Sequence, residues 1–448
     1  MSLMTTLTDP PRESFRLSML LYDTRYRSTT IQVVALLGFM LGAAWLINNV
    51  IVNLAVAGKT FNYGFLKEAS SYDINQKLIA YNSQSSHMRA TIVGLLNTLL
   101  VAVMGCIAAT ILGVIIGVLR LSKNWIISRF AAVFVETFRN VPLLLWIVLI
   151  FAATSHQLPA PKDFRGDDPV ATMKFFDSVA ITNRGVYLPE PLFSKGLGDF
   201  PVFPDKESRA CQAFYNPDGT PETTKLAKFC GTFQISIDLM AILAVLFAGL
   251  ITSKLIKTRA DQIQKETGER PVTWYSRLAV VILPTLAVMY ILGFYLGYPE
   301  LEAFNFKGGI HMRSSLLALW VALSLYTAAF IAEIVRAGIM AISKGQSEAA
   351  AALGLRQNRI MRLVILPQAL RVIVPPLISQ YLNLTKNSSL AIAVGYMDIT
   401  GTLGGITLNQ TGRELETVLL LMLIYLIISL TVSTVMNYYN ERTKLKER

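Results

Sequence analysis

The apolar positions of this chain gather into long runs rather than short amphipathic periods. A helix needs about 20 consecutive apolar residues to cross a bilayer. Eight stretches reach that length: 31–57, 91–119, 126–154, 234–253, 275–297, 313–341, 370–394 and 416–437. Between them lie a polar leading segment 1–30, loops 58–90 and 155–233, shorter linkers and a tail 438–448. The pattern predicts an all-α integral membrane protein with about eight transmembrane helices. No small-residue cleavage site follows the first apolar run, so a retained helix is expected rather than a signal peptide.

Composition agrees with this. Hydrophobic residues make up 53% of the chain and charged residues only 16%, against about 25% charged in a soluble domain. A cytosolic globular protein and a disordered chain are both excluded. The net charge of +12 would suit a nucleic-acid binder if it were spread over a surface, but it is concentrated in short loops. Arg12, Arg16, Arg25 and Arg27 precede the first span, and Arg120 and Lys123 follow the second. Lys254, Lys257, Arg259, Lys265 and Arg270 follow the fourth; Lys344, Arg356, Arg359 and Arg362 follow the sixth; Arg442, Lys444, Lys446 and Arg448 close the chain. With eight spans these all fall on one face, which the excess of Lys and Arg identifies as the cytoplasm, with both termini inside. Loops 58–90 and 155–233 then lie outside. Cys211 and Cys230 share the second loop; an oxidising compartment would favour a disulfide, and two reduced thiols in a solvated loop fit the same spacing. Cysteines and histidines, three of each, are too scattered for a metal centre.

Chemistry of the chain's own is scarce. Gly58-Lys59-Thr60 has the ending of a phosphate-binding loop, but Asn53 stands where its first glycine is required. No nucleophile elbow, zincin helix or dinucleotide fingerprint occurs. The expectation is a chain that is no enzyme and binds no cofactor itself.

The informative stretch is Ser343 to Leu355. Ser343 and Gln346 have the spacing of a capping box, Ala349 to Ala352 are the best helix formers, and Gly354 supplies a left-handed stop. A second short helix is predicted from Gln357 to Leu366, halted at Pro367, with Arg359 and Arg362 at headgroup level. A small Ala-rich helix between two spans suits a groove on a partner; an ordinary linker is the other reading.

Glu348-Ala349-Ala350 with Gly354, followed by Leu366-Pro367, resembles the EAA loop of ABC-importer permeases. Ala332-Glu333-Ile334-Val335-Arg336-Ala337-Gly338, Pro367-Gln368-Ala369-Leu370-Arg371 and Asn383-Leu384-Thr385-Lys386-Asn387-Ser388-Ser389-Leu390 are similar to the polar amino-acid permeases. Leu20-Leu21-Tyr22-Asp23, Asn183-Arg184-Gly185-Val186-Tyr187 and Asn409-Gln410-Thr411-Gly412 extend the likeness, over nearly the whole chain, to the Q subunits of general L-amino-acid permeases. The resemblance implies a type I permease core in 91–154 and 313–437, with an extra helix 31–57, a helix pair 234–297 and a periplasmic insertion 155–233. It implies a coupling loop 343–367 that contacts the ATPase through Ser347, Glu348, Ala349, Ala350, Leu353 and Gly354. The partners implied are a second permease, two ATPase subunits holding ATP and Mg, a periplasmic amino-acid-binding protein and the lipid of a bacterial inner membrane.

Polar residues inside spans mark the expected path. Glu136 and Leu145 lie in the third span, and Lys386, Asn387, Ser388, Ser389 and Leu390 in the seventh. Glu136 can accept a substrate ammonium, or pair with Arg139 one turn on. Pro142 is expected to kink the third span beyond them, and Pro375-Pro376 to break the seventh. Lys386 can meet a substrate carboxylate, or snorkel to the outer interface. Many polar amino-acid permeases have Lys-Asp-Thr-Ser-Leu where this chain has Lys386-Asn387-Ser388-Ser389-Leu390, so a charge favouring cationic substrates is missing. Glu333 and Arg336 read as an internal ion pair, either structural or part of a gate. The rival classes are a gradient-driven secondary transporter, for which no inverted repeat is visible, and a membrane-embedded enzyme, for which no catalytic constellation lies in the spans.

Overall fold

The computed structural model describes residues 19–22, 24–56, 58, 60–165, 169–201 and 234–443. Cys211 and Cys230 lie outside the described residues, as do Arg12, Arg16, Lys444, Lys446 and Arg448. The chain divides into two units, Met1–Tyr63 and Gly64–Arg448. In the first, α1 (Thr24–Val56) is one uninterrupted helix of 33 residues, about 50 Å long and able to span a bilayer with tilt.

The second unit contains α2 (His87–Arg120), α3 (Trp125–Asn140), α4 (Leu143–Gln157), α5 (Ile237–Thr267), α6 (Trp274–Ile291), α7 (Ser314–Met340), α8 (Lys344–Ala352), α9 (Leu366–Asn387) and α10 (Glu414–Thr443). Among the described residues of the whole chain, seven helices are long and apolar enough to cross a membrane. The pair α3 and α4 passes the same test together, bent by 105° at the break, and brings the number to eight where it is counted as one span.

Proline has opposite consequences in two of these spans. Val141 is extended at φ −104°, ψ 134°, because the ring of Pro142 keeps the preceding residue out of the helical region. The predicted kink is therefore a corner, and the ring of Trp146 in α4 stacks on Phe138 in α3 with centroids 4.3 Å apart to hold it. In α9 the predicted break is absent: Pro375 and Pro376 lie inside a helix that continues through both. Neither does Pro367 halt the chain. Gln357–Ile360 passes through a π-helical turn, Met361–Ile365, into α9, where Pro367 occupies the first turn; the wider turn, with the Leu366 N–H bonded back to the Met361 carbonyl, carries the chain past the proline. Burial of Ile373, Val374 and Ile378 holds α9 together against the loss of two backbone bonds. Only Ser388–Val394 tightens to a 3-10 helix.

The core forms where α2, α4, α7 and α9 meet, around Val101, Ile147, Leu319, Leu323, Ile331 and Leu384. Helices α2 and α7 run in the same direction and approach most closely at two glycines. A methyl on Gly113 would lie 2.6 Å from Ile331 Cβ, and one on Gly117 would lie 2.7 Å from the Ala332 carbonyl oxygen. Inside a bilayer, where lipid is as apolar as Leu, such close packing is a main source of helix association.

At the opposite end from Arg120 the loops are structured. Segment 64–86 buries Tyr72, Ile74 and Tyr81 against Ala90 and Val93 of α2. The Tyr72 hydroxyl and His87 Nδ1 both reach Thr407 Oγ1, at 3.2 and 3.0 Å. Asn97 Nδ2 donates to the Gln76 and Met397 carbonyls, so one side chain joins this segment, α2 and the turn after α9. A three-stranded antiparallel sheet, β1 (Ala180–Thr182), β2 (Gly185–Leu188) and β3 (Ile310–Arg313), has β2 in the centre. Since β3 leads straight into α7, the residues before α5 are paired to the entrance of a core helix.

Candidate functional site

Helix α8 forms where the sequence predicts it, with a different restraint at its start. Ser343 is the N-cap residue, extended at φ −63°, ψ 138°, but its hydroxyl makes no capping bond. Gln346 accepts instead from the Gln368 amide in the first turn of α9, so the expected capping box is replaced by a clamp between α8 and α9. Ser347 is half-buried and donates to the Lys344 carbonyl at 2.7 Å. Ala350 is buried, whereas Glu348, Ala349, Ala351 and Ala352 are exposed, and Leu353 at the end of the helix is 82% exposed. Gly354 closes the helix at φ +77°. Its N–H returns to Ala351 and that of Leu355 to Ala350, at 2.9 and 3.2 Å, the paired bonds of a Schellman stop. The result is a rigid, mostly apolar ridge exposed between two spans.

Close to that ridge, the last residue of α2 reaches α7. Glu333 accepts from Arg120 and, one turn along its own helix, from Arg336 Nε at 3.1 Å. The predicted pair is thus a triad that fastens α2 to α7. Arg120 was not legible as its third member, because 213 residues separate it from Glu333.

Glu136 is exposed on α3, one turn before the corner, and accepts from Asn140 Nδ2 at 3.3 Å. Arg139 does not pair with it; the guanidinium lies over the Phe330 ring, 5.3 Å from the centroid. Leu145 is exposed beyond the corner on α4. Lys386 is exposed in the last turn of α9, while Asn387, Ser389 and Leu390 are partly buried. Ser388 is fully buried and donates to the Thr385 carbonyl at 2.8 Å. Among the described residues no ion pair joins Glu136 to Lys386.

Asp398, between α9 and α10, carried no sequence signal. It is 0% exposed, accepts from the Gly401 N–H at 2.8 Å and faces the Tyr425 hydroxyl at 3.4 Å. Burial pushes its carboxyl up to about 7, with those hydrogen bonds opposing the shift only in part. The folded chain therefore holds this proton more tightly than the unfolded chain does. The contribution to stability is complete below the ordinary carboxylate range and is lost as pH rises through the folded-state value. The melting temperature of the assembly should fall as pH is raised from about 5 to about 8, and Asp398→Asn should flatten that slope. An unchanged slope in the variant would assign the proton elsewhere.

Residues 269–445 match the family described as binding-protein-dependent transport system inner membrane component. The glutamate/glutamine/aspartate/asparagine transport system permease protein BztB of Rhodobacter capsulatus is 56% identical, over 99% of this chain and 100% of that protein. The general L-amino acid transport system permease protein AapQ of Rhizobium johnstonii is 39% identical over 97% and 96% of the two chains. The putative amino-acid ABC transporter permease protein YhdX of Escherichia coli is 37% identical over 98% and 99%. With full-length relatives at this level, and with a helical bundle that presents a short exposed helix between two spans, the chain belongs to the family of inner-membrane components of binding-protein-dependent transport systems.

Proposed function

We propose that this chain forms one half of the translocation pathway of an ABC importer for L-amino acids, including acidic amino acids and their amides. The substrate class follows the name of the relative BztB. Helix α8 carries the reading. It is exposed, closed by Gly354, clamped to α9 by Gln346 and Gln368, and separated from α7 by only three residues. A displacement of α8 is passed to both α7 and α9, which border the core. In this reading ATP and Mg are held by two partner ATPase subunits, and the chain binds no cofactor and hydrolyses nothing itself. A second permease completes the path and a periplasmic binding protein delivers the substrate. The basic loops and both termini face the cytoplasm.

Alternating access requires that the ATP-bound ATPase pair favour one arrangement of the helices over the other. Glu136 and Leu145 at the corner, and Lys386 to Leu390 at the end of α9, are the proposed path residues. Glu136 offers an acceptor for an ammonium and Lys386 a donor for a carboxylate. The experiment is ATPase activity of the purified assembly with and without the binding protein loaded with amino acid. The expected result is stimulation by the loaded protein above the empty one. Hydrolysis indifferent to the binding protein, or no co-purifying ATPase, would favour a gradient-driven transporter.

A further inference from the structure

Helix α9 has two unlike faces inside the membrane. Ala369, Ile373, Val374, Ile378 and Leu384 are buried toward the core. From Val372 onward its exposed positions are Val372, Pro375, Pro376, Ser379, Asn383 and Lys386. They recur in steps of three and four, which aligns them in one stripe, about 16 Å long from Pro375 to Lys386. The two prolines lack the N–H groups that the Arg371 and Val372 carbonyls would accept in a helix, so the stripe adds bare backbone acceptors to three polar side chains. The exposed face of α2 is its opposite, with Ile92, Leu99, Val103, Ile107, Ile111 and Val114, all aliphatic and suited to lipid. Hydrocarbon cannot satisfy carbonyls, an amide or an ammonium.

We infer that the Pro375–Lys386 face of α9 lines the aqueous path, with Ser379 and Asn383 contacting the solute and Lys386 reading its carboxylate. This rests on the importer reading and adds residues to it. The track is positive and has no compensating acid of its own: α9 contains no Asp or Glu. At its other end the Arg371 guanidinium has Nε and Nη2 buried without a partner. Anionic and zwitterionic amino acids are favoured along it over cationic ones.

The test uses the assembled importer in liposomes, with Ser379→Cys or Asn383→Cys and a membrane-impermeant, anionic methanethiosulfonate. Ile107→Cys on the lipid face of α2 is the control, and the unsubstituted chain gives the background. Both stripe cysteines should react well above background, loaded binding protein should slow them, and the control should stay inert. In a second arm, Lys386→Gln should lower uptake of acidic and neutral amino acids alike by about tenfold, with Lys386→Arg restoring it. Stripe cysteines inert in both nucleotide-free and ATP-bound assemblies that still co-purify would place this face against a partner helix or lipid and overturn the inference. Unchanged uptake of both would overturn the role of Lys386. Either result leaves the importer reading standing if the unsubstituted assembly keeps its stimulation by loaded binding protein; loss of that stimulation would count against the importer reading itself.

Discussion

Replacing Ala349 by glutamate should abolish stimulation of ATP hydrolysis by the loaded binding protein while leaving the permease folded. Ala349 is exposed on α8 between Glu348 and the buried Ala350, so a longer side chain meets nothing within its own chain. In the proposed assembly, a groove that fits alanine would have no space for it, and a carboxylate desolvated there would lack a partner. Losses at buried contact centres run to about 2–4 kcal/mol, which is about thirtyfold or more in affinity. Leu353→Asp should act alike, since this 82% exposed leucine is the natural anchor at the end of the ridge. Arg359→Ala, exposed but off the ridge, should stay close to the unsubstituted assembly. The melting temperature of the isolated permease separates mechanisms: it should not change for Ala349→Glu. Full stimulation retained by both ridge variants would mean that the ATPase grips another element.

What the sequence made legible here follows from the length of each signal. Runs of 20 apolar residues are unambiguous because a bilayer imposes that length, so every predicted span has its helix or helix pair. The stop at Gly354 was equally readable, since a positive φ at the end of an alanine run admits few residues besides glycine. The strands were not readable. At three or four residues each they are shorter than any alternation pattern, and β2 finds β3 more than a hundred positions away.

At Pro142 the expected kink is present as a 105° corner, whereas the break expected at Pro375-Pro376 is absent: the sequence shows the residue but not what supports the backbone around it. At Pro142 the preceding Val141 is extended, and the chain turns a corner. At Pro375 and Pro376 the prolines face outward while the opposite face is buried, and the helix survives. Reading those prolines as a break also hid the exposed stripe of α9. Once a break is assumed at 375, the run from Asn383 to Ser389 is a polar segment rather than one part of a helical stripe, and Ser379 drops out of it. Ser388, named as a polar residue within the span, is buried in the folded chain. Periodicity carried through the prolines places Ser379, Asn383 and Lys386 on one exposed stripe, with Ser388 off it.

The largest loss of stability should come from Gly117→Leu. An added Cβ would lie 2.7 Å from the Ala332 carbonyl oxygen and 2.9 Å from Val335 Cβ, and a backbone oxygen inside a packed helix cannot step aside. The only relief is to separate α2 from α7. That separation also pulls Arg120 away from Glu333 and opens the packing between Gly113 and Ile331, so three contacts fail together. Overpacking alone costs about 1–3 kcal/mol, and the added losses should carry the variant beyond that range. Gly117→Ala should show a smaller part of the same effect. Gly38 and Gly42 on α1 give the contrast, because a Cβ there meets nothing within 4 Å, and leucine is the better helix former by nearly 1 kcal/mol. Gly38→Leu should therefore be neutral or slightly stabilising. The measurement is the melting temperature of each detergent-purified assembly, with size-exclusion chromatography to report dissociation. If Gly117→Leu melts with the unsubstituted chain, α2 and α7 do not depend on close approach, and the glycines at this contact are there for helix mobility rather than packing.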